Sequence, residues 1–251
     1  MRLCVAIPCF FGNEDFCRSL RIARELGYDA AETYNWKALD PDSVRATCEE
    51  IGIELMSICT SDFRLTVPEA RQDYLAALKE SCEAAKKLGV KRLITQGGPD
   101  TGAARELQHA CMVETLNACK PILNEYGITL MLEPLNTYVN HPGVYLWSSA
   151  EAFDICREVN DPHVKVIYDI YHQQIMEGNI IPSVVKNLDL IEHLHSAGSD
   201  GRNELWLGEN DYKYIFDAID KAGYKGACGL EYRPTLPPLE SLRLAKERYG
   251  S

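Results

Sequence analysis

The chain has 251 residues, a formal net charge of −11 and no cluster of basic residues. This length can bury a large core, and the acidic charge argues against a nucleic-acid partner, because phosphate binding depends on clustered Lys and Arg. No stretch approaches the roughly 18 consecutive apolar residues of a membrane span, and the N-terminal residues do not have the pattern of a signal peptide. We therefore expect a soluble cytoplasmic protein with no nucleic-acid and no membrane partner.

Eight short apolar segments alternate with longer segments of helical periodicity. In chain order, the predicted strands are 3–9, 29–35, 53–60, 90–97, 129–136, 164–171, 191–197 and 226–233. The predicted helices between them include 14–26, 42–51, 68–88, 103–126, 148–159, 210–222 and 238–248. Several helices end in a glycine just before the next strand, as in "KKLGVK" and "NEYGIT", which is typical of helix C-termini.

Eight strand–helix units in a chain of 251 residues predict an α/β fold, the (β/α)8 TIM barrel. No linker or shift in composition divides the chain, so we expect a single domain over 1–251. The alternative is an open, doubly wound sheet. Its first strand–helix turn should be rich in glycine, and the corresponding segment "IPCFFGNEDF" is not.

Ten cysteines are distributed through these predicted elements without paired CxxC spacing. Such cysteines are typical of small buried side chains in a reducing compartment. Cys9 and Cys59 differ, because each lies where a predicted strand ends and could line a pocket. For these two, packing and a pocket role both stay open.

Candidate metal ligands lie at the ends of the last four predicted strands, and catalytic groups in TIM barrels lie at the C-terminal strand ends. The residues are Glu133, Asp169 with His172, His193 with His195, and Glu231. Taken singly, each also fits a structural role, such as an ion pair or a hydrogen bond to a carbonyl. Occurring on four consecutive strands, they predict one divalent-metal site. One ligand from each strand end gives three carboxylates and one imidazole, a set that favours Mg²⁺ or Mn²⁺, with Co²⁺ or Zn²⁺ as alternatives.

Such a metal site suits a small carbohydrate or keto-acid substrate, because adjacent carbonyl and hydroxyl oxygens can chelate the ion while an enediolate forms. Arg202 follows the seventh strand and could bind a substrate carboxylate, or it could pair with Glu204 at the surface. Asn136 follows Glu133 and could contact the substrate. Glu32 ends the second strand and could orient an arginine or histidine in the barrel mouth.

Three segments carry a resemblance to a known family: "LEPLN" at 132–136, "YDIYHQQIMEGN" at 168–179 and "IEHLHSAGSDGR" at 191–202. They resemble the xylose isomerase-like barrel superfamily and, within it, the hydroxypyruvate isomerase family most closely. The resemblance implies metal ligands at Glu133, Asp169, His195 and Glu231, with the two glutamates also acting as the acid–base pair. It implies a substrate-binding role for His172. The implied reaction is a metal-dependent isomerisation through an enediolate, of hydroxypyruvate to tartronate semialdehyde or of a related keto-sugar acid.

Other functions stay open beside this one. Hydroxypyruvate isomerases typically have Gln where this chain has His195, whereas ketose 3-epimerases have His, so an epimerase is the main alternative. A more distant alternative is an apurinic-site endonuclease, which would need more histidines and a basic groove. A sugar-acid binder without catalysis would not need two opposed glutamates. Assembly into a homo-oligomer also stays open.

Overall fold

The structure is a computed structural model that describes residues 1–12 and 15–250. Its strands are β1 (Arg2–Ala6), β2 (Ala30–Glu32), β3 (Glu54–Leu55), β4 (Ile58–Cys59), β5 (Arg92–Gln96), β6 (Thr129–Glu133), β7 (Val164–Asp169), β8 (Ile191–Ser196) and β9 (Ala227–Leu230). Every strand pair is parallel, and the order in the sheet is β3-β2-β1-β9-β8-β7-β6-β5-β4.

The short strands β3 and β4 close this sheet into a barrel. Both lie within the predicted third strand, 53–60, and β3 pairs with β2 while β4 pairs with β5. At the junction, the amide of Met56 donates to the carbonyl of Ala31 at 2.8 Å, and the amide of Thr60 donates to the carbonyl of Ile94 at 2.9 Å. One chain segment thus bonds to both edges of the sheet, and the predicted (β/α)8 barrel is confirmed.

The helices surround the barrel. They are α1 (Ile7–Phe11), α2 (Phe16–Glu25), α3 (Pro41–Ile51), α4 (Arg71–Leu88), α5 (Arg105–Tyr126), α6 (Ser149–Val159), α7 (Ile170–Met176), α8 (Ile180–Lys186), α9 (Tyr212–Lys221) and α10 (Pro238–Tyr249). Gly89 and Gly127 end α4 and α5 with φ of 77° and 62°, the left-handed conformation that glycine adopts without strain. The predicted helix 14–26 is confirmed from Phe16, since residue 14 lies outside the described residues.

The predicted strand 164–171 ends two residues early, and α7 and α8 are additional helices. The carboxylate of Asp169 accepts a hydrogen bond of 2.8 Å from the amide of Tyr171, which caps the first turn of α7. Asp169 therefore ends a strand and begins a helix, so its side chain is fixed at the C-terminal end of the barrel.

Alternate residues of each strand point into the barrel and form three layers. At the N-terminal end, Arg92 pairs with Glu192 at 2.8 Å and with Glu54 at 3.0 Å. In the middle, an apolar cluster contains Ile94, Met131 and Ile167. At the C-terminal end, Gln96 lies beside Glu133 in the strand register. Gln96 and Glu133 therefore lie at the end where a barrel binds its substrate.

All ten cysteines lie in the described part of the chain, and each is a free thiol, as expected from their spacing. No helix within residues 1–12 and 15–250 has the length and apolar character needed to cross a membrane.

Candidate active site

The four predicted metal ligands converge at the C-terminal end of the barrel. Glu133, Asp169 and His195 come from β6, β7 and β8, and Glu231 directly follows β9. One ligand atom from each side chain lies within 4.8 Å of the others. The amide of Glu231 donates to the carbonyl of Ser196 at 3.0 Å, so sheet-like bonding continues far enough to place this carboxylate beside β8.

The residues present fit a divalent metal ion. Asp169 Oδ2, His195 Nδ1 and Glu231 Oε2 are buried and make no hydrogen bond of suitable geometry within the described residues. Buried polar atoms normally have a partner, and three carboxylates in one small space need more positive charge than the guanidinium of Arg202 beside them supplies. Three oxygen donors and one imidazole form a ligand set that Mg²⁺, Mn²⁺, Co²⁺ or Zn²⁺ can accept.

His195 is oriented by Glu32, a carboxylate on the side of the imidazole that faces away from the ligand cluster. Its Nδ1 faces the ligand cluster, 2.9 Å from Glu231 Oε2, and its Nε2 lies 3.0 Å from Glu32 Oε1. Glu32 is fully buried, and it also accepts a hydrogen bond from Ser57 Oγ at 2.8 Å and lies 3.2 Å from His193 Nε2. Burial opposes ionisation of Glu32, but the two imidazoles outweigh it and hold its pKa far below the usual range. An ionised Glu32 holds a proton on Nε2, so Nδ1 is the nitrogen that would give up its proton and bind a metal ion.

Gly229 makes this contact between Glu32 and His195 sterically feasible. It lies opposite His195 in the register of β8 and β9. A Cβ atom at position 229 would lie 2.3 Å from Glu32 Oε1 and 2.6 Å from His195 Cδ2. Only glycine therefore fits between the two side chains in this arrangement.

His172 is held as a neutral imidazole next to the ligand cluster. Asn136 Nδ2 lies 2.6 Å from His172 Nδ1, and burial lowers the pKa of His172 to about 3. The proton then lies on Nε2, which is 3.3 Å from Asp169 Oδ2. The carbonyl oxygen of the Asn136 side chain accepts from the backbone amides of Val139 and Asn140, so this side chain is engaged within the protein. Asn136 thus orients His172, and its direct contact with substrate remains a prediction.

Arg202 lies inside the site. Its Nη2 is 2.7 Å from Glu231 Oε2 and 3.5 Å from Asp169 Oδ2, and its guanidinium lies over the ring of Tyr171. The alternative of a surface pair with Glu204 is wrong, because Glu204 instead accepts hydrogen bonds from the loop before α10, including 2.8 Å from the amide of Thr235.

A cavity of about 530 Å³ opens beside the ligand cluster. Glu133, His195 and Glu231 form one end of it, and its other walls come from β5 and from the loops after β2 and β4. Trp36, Phe63, Gln96 and Cys59 are among the lining residues. Cys59, one of the two cysteines for which the sequence leaves a pocket role open, therefore lines the pocket. Burial raises the pKa of its thiol well above the usual range.

Two polar residues of the "YDIYHQQIMEGN" stretch hold the neighbouring loops together. Gln173 Nε2 donates to the carbonyl of Pro134 at 3.1 Å, which ties α7 to the loop after β6. Glu177 accepts from Ser148 Oγ at 2.7 Å and from the amide of Ser149 at 3.1 Å, which ties the end of α7 to the start of α6. These contacts hold α7, the helix that carries His172, in place against its neighbours.

Comparisons with known proteins agree with this fold. A profile of the xylose isomerase-like TIM barrel family matches residues 20–248. The chain is 27% identical to the hydroxypyruvate isomerase of Escherichia coli (strain K12) over an alignment of 253 positions, which covers 97% of both chains. It is 32% identical to a 2-oxo-tetronate isomerase of Cupriavidus necator over 169 residues, covering 67% of this chain and 65% of that relative. A crystal structure described as an AP endonuclease, family 2, from Brucella melitensis superposes with a TM-score of 0.92 at 25% identity, over 99% of both chains. The chain belongs to the xylose isomerase-like TIM barrel family.

Proposed function

We propose that the protein is a metal-dependent isomerase that moves the carbonyl group of a small α-hydroxycarbonyl acid to the neighbouring carbon through an enediolate. The substrate is hydroxypyruvate, converted to tartronate semialdehyde, or a related keto-sugar acid. The names of the relatives support an isomerase that acts on keto acids. The observation that carries the proposal is the cluster of Glu133, Asp169, His195 and Glu231, whose ligand atoms lie within 4.8 Å of one another.

In this proposal the four clustered side chains hold the divalent ion. When bound, the ion supplies positive charge that stabilises the negative charge developing on the substrate oxygens. His172 donates its Nε2 proton to a substrate oxygen, because its Nδ1 is occupied by Asn136. Arg202 provides a planar cation at the edge of the cluster, suited to a carboxylate of the substrate.

Glu133 and Glu231 are the proposed acid–base pair, because they reach the cluster from separate strand ends. Burial would raise the pKa of Glu231, but His195 and Arg202 outweigh it and lower the pKa below its usual value. Glu231 is therefore ionised and suited to remove the proton from the hydroxyl-bearing carbon. Glu133, carrying a proton taken from solvent, delivers it to the former carbonyl carbon, while the hydroxyl proton moves to the neighbouring oxygen. After the product leaves, Glu231 releases its proton to solvent, which restores the pair. The reaction is internally balanced and needs no redox partner.

The test of this function is metal removal. Because the ligand set places three carboxylates together, protein treated with a chelator and dialysed should lose isomerisation of hydroxypyruvate, and added Mn²⁺ or Mg²⁺ should restore it. Metal content is measured by mass spectrometry in parallel with product formation. Full turnover by metal-free protein would contradict the metal role.

A second prediction concerns Arg202. A charge-assisted contact contributes about 1.5–3 kcal/mol, so Arg202→Ala should raise KM for a keto acid roughly 10–100-fold. The KM for a neutral ketose should change much less, and Arg243→Ala on the exposed surface of α10 is the matched control. Steady-state kinetics with both substrate types measure the difference. Equal losses for charged and neutral substrates would show that Arg202 acts on the metal ligands and not on the substrate carboxylate.

A ketose 3-epimerase is the second candidate, favoured by the imidazole of His195 among the clustered side chains. It would use the same enediolate and return the proton to the opposite face of the same carbon. Faster turnover of neutral ketoses than of hydroxypyruvate would favour it. The net charge of −11 opposes the apurinic-site endonuclease alternative.

A further inference from the structure

We infer that the cavity beside the ligand cluster is a subsite for substrate carbons beyond the two that react, so that the preferred substrate is an open-chain hydroxy-keto acid of four or more carbons. This inference rests on the proposed isomerase function, which it makes more specific. It assigns a specificity role to Gln96, with Trp36 and Phe63 as the walls of the subsite.

The size of the cavity is the first observation. Its volume is about 530 Å³. A three-carbon keto acid displaces about as much volume as four waters, or ~120 Å³ at ~30 Å³ for each water. A three-carbon substrate bound at the ligand cluster would therefore leave most of the cavity filled with solvent.

The direction of the cavity is the second observation. Arg202, the proposed partner of the substrate carboxylate, approaches Asp169 and Glu231 at the ends of β7 and β9. The cavity extends from Glu133 away from Arg202, toward β5 and the loops after β2 and β4. A substrate with its carboxylate at Arg202 and its reacting carbons at the cluster would direct its remaining carbons into the cavity.

The side chain of Gln96 is the third observation. Gln96 lies directly beside Glu133 in the register of β5 and β6 and lines the cavity. Its carboxamide has no hydrogen-bond partner within the described residues. An amide can both donate to and accept from a hydroxyl group, so Gln96 is suited to a hydroxyl on the carbon next to the reacting pair.

The far walls of the subsite suit the carbon chain itself. The indole nitrogen of Trp36 donates to the carbonyl of Cys59 at 3.0 Å, which fixes the ring at the cavity wall. Phe63 adds a second aromatic side chain. The carboxamide of Gln96 and these two aromatic side chains together match the alternation of hydroxyl groups and C–H surface in a sugar acid.

The experiment compares the binding of unreactive acids of different length. Glycerate has three carbons, and erythronate and threonate have four, and each is titrated by calorimetry into the Mn²⁺-loaded protein. We expect the better of the two four-carbon acids to bind at least about tenfold more tightly than glycerate. Gln96→Leu should weaken the binding of this four-carbon acid roughly 5- to 50-fold, because one polar contact is lost, and should leave the affinity for glycerate nearly unchanged. Gln174→Leu, on α7 outside the cavity, is the matched control.

Trp36→Ala gives a second, independent variant, which should also weaken the four-carbon acid selectively. Equal binding of three- and four-carbon acids, or equal losses for both in the variants, would overturn the inference.

Kinetics with hydroxypyruvate and 2-oxo-tetronate then separate the proposed subsite from the proposed reaction. If neither is isomerised while the four-carbon acid still binds more tightly through Gln96, the proposed reaction fails and the subsite stands.

Discussion

Replacing either Glu133 or Glu231 by glutamine should lower the rate of isomerisation about 10²–10⁴-fold, the usual contribution of a positioned acid or base. Glutamine keeps the size of the side chain and removes its ability to transfer a proton. Both residues also belong to the predicted metal-binding cluster, so metal content must be measured for each variant before the loss is assigned to proton transfer. Glu125→Gln, on the exposed surface of α5, is the matched control.

The double variant with both glutamates replaced gives the strongest form of this test. If it folds, retains its metal and still turns over substrate at the wild-type rate, the two carboxylates take no part in the chemistry. Hydride transfer between neighbouring carbons would then be the mechanism to examine.

The second large effect is expected at Gly229. Gly229→Ala should weaken Mn²⁺ binding by about 10–100-fold or more, because a Cβ placed 2.3 Å from Glu32 Oε1 forces apart the carboxylate and the imidazole that it orients. Overpacking of this buried position should also lower the free energy of unfolding by about 1–3 kcal/mol. Calorimetric titration with Mn²⁺ and thermal unfolding measure the two effects separately.

Two milder variants distinguish orientation of His195 from general damage to the core. Glu32→Gln keeps the shape but removes the negative charge, and it should weaken metal binding while the protein remains folded. Ser57→Ala removes one hydrogen bond to Glu32 and should have a smaller effect. Unchanged Mn²⁺ affinity in Glu32→Gln and Gly229→Ala would show that Glu32 does not orient the ligand.

The barrel is predictable from the sequence because its strands and helices alternate with clear periodicity and because several helices end at a glycine. The third strand is less regular than predicted. It consists of β3 and β4, since its N-terminal half bonds to β2 and its C-terminal half to β5. The helix α7 follows β7 without a break, and the mostly apolar segment 164–171 does not reveal where Asp169 ends the strand and caps the helix.

The ligand cluster is predictable because its members end consecutive strands, whereas the residues that support it depend on register. The role of Glu32 requires the ends of β2 and β8 to meet across the barrel interior, which sequence spacing alone does not show. Gln96 is an uncharged residue at the end of β5 and belongs to no recognisable motif. That its side chain points into the barrel becomes clear only from its register with Glu133. The glycine at 229 resembles any strand glycine until the neighbouring side chains are in place.

Deuterium exchange tests most directly whether the clustered glutamates transfer a proton through an enediolate. The Mn²⁺-loaded protein is incubated with hydroxypyruvate in deuterated water, with 2-oxo-tetronate in parallel, and the carbon-bound hydrogens of substrate and product are followed by NMR spectroscopy. The expected result is deuterium on the carbon that receives the proton, lost in the chelated protein and in the double glutamine variant. Product formed without deuterium, or deuterium incorporated equally by the metal-free protein, would contradict proton transfer by Glu133 and Glu231 at a metal-dependent site.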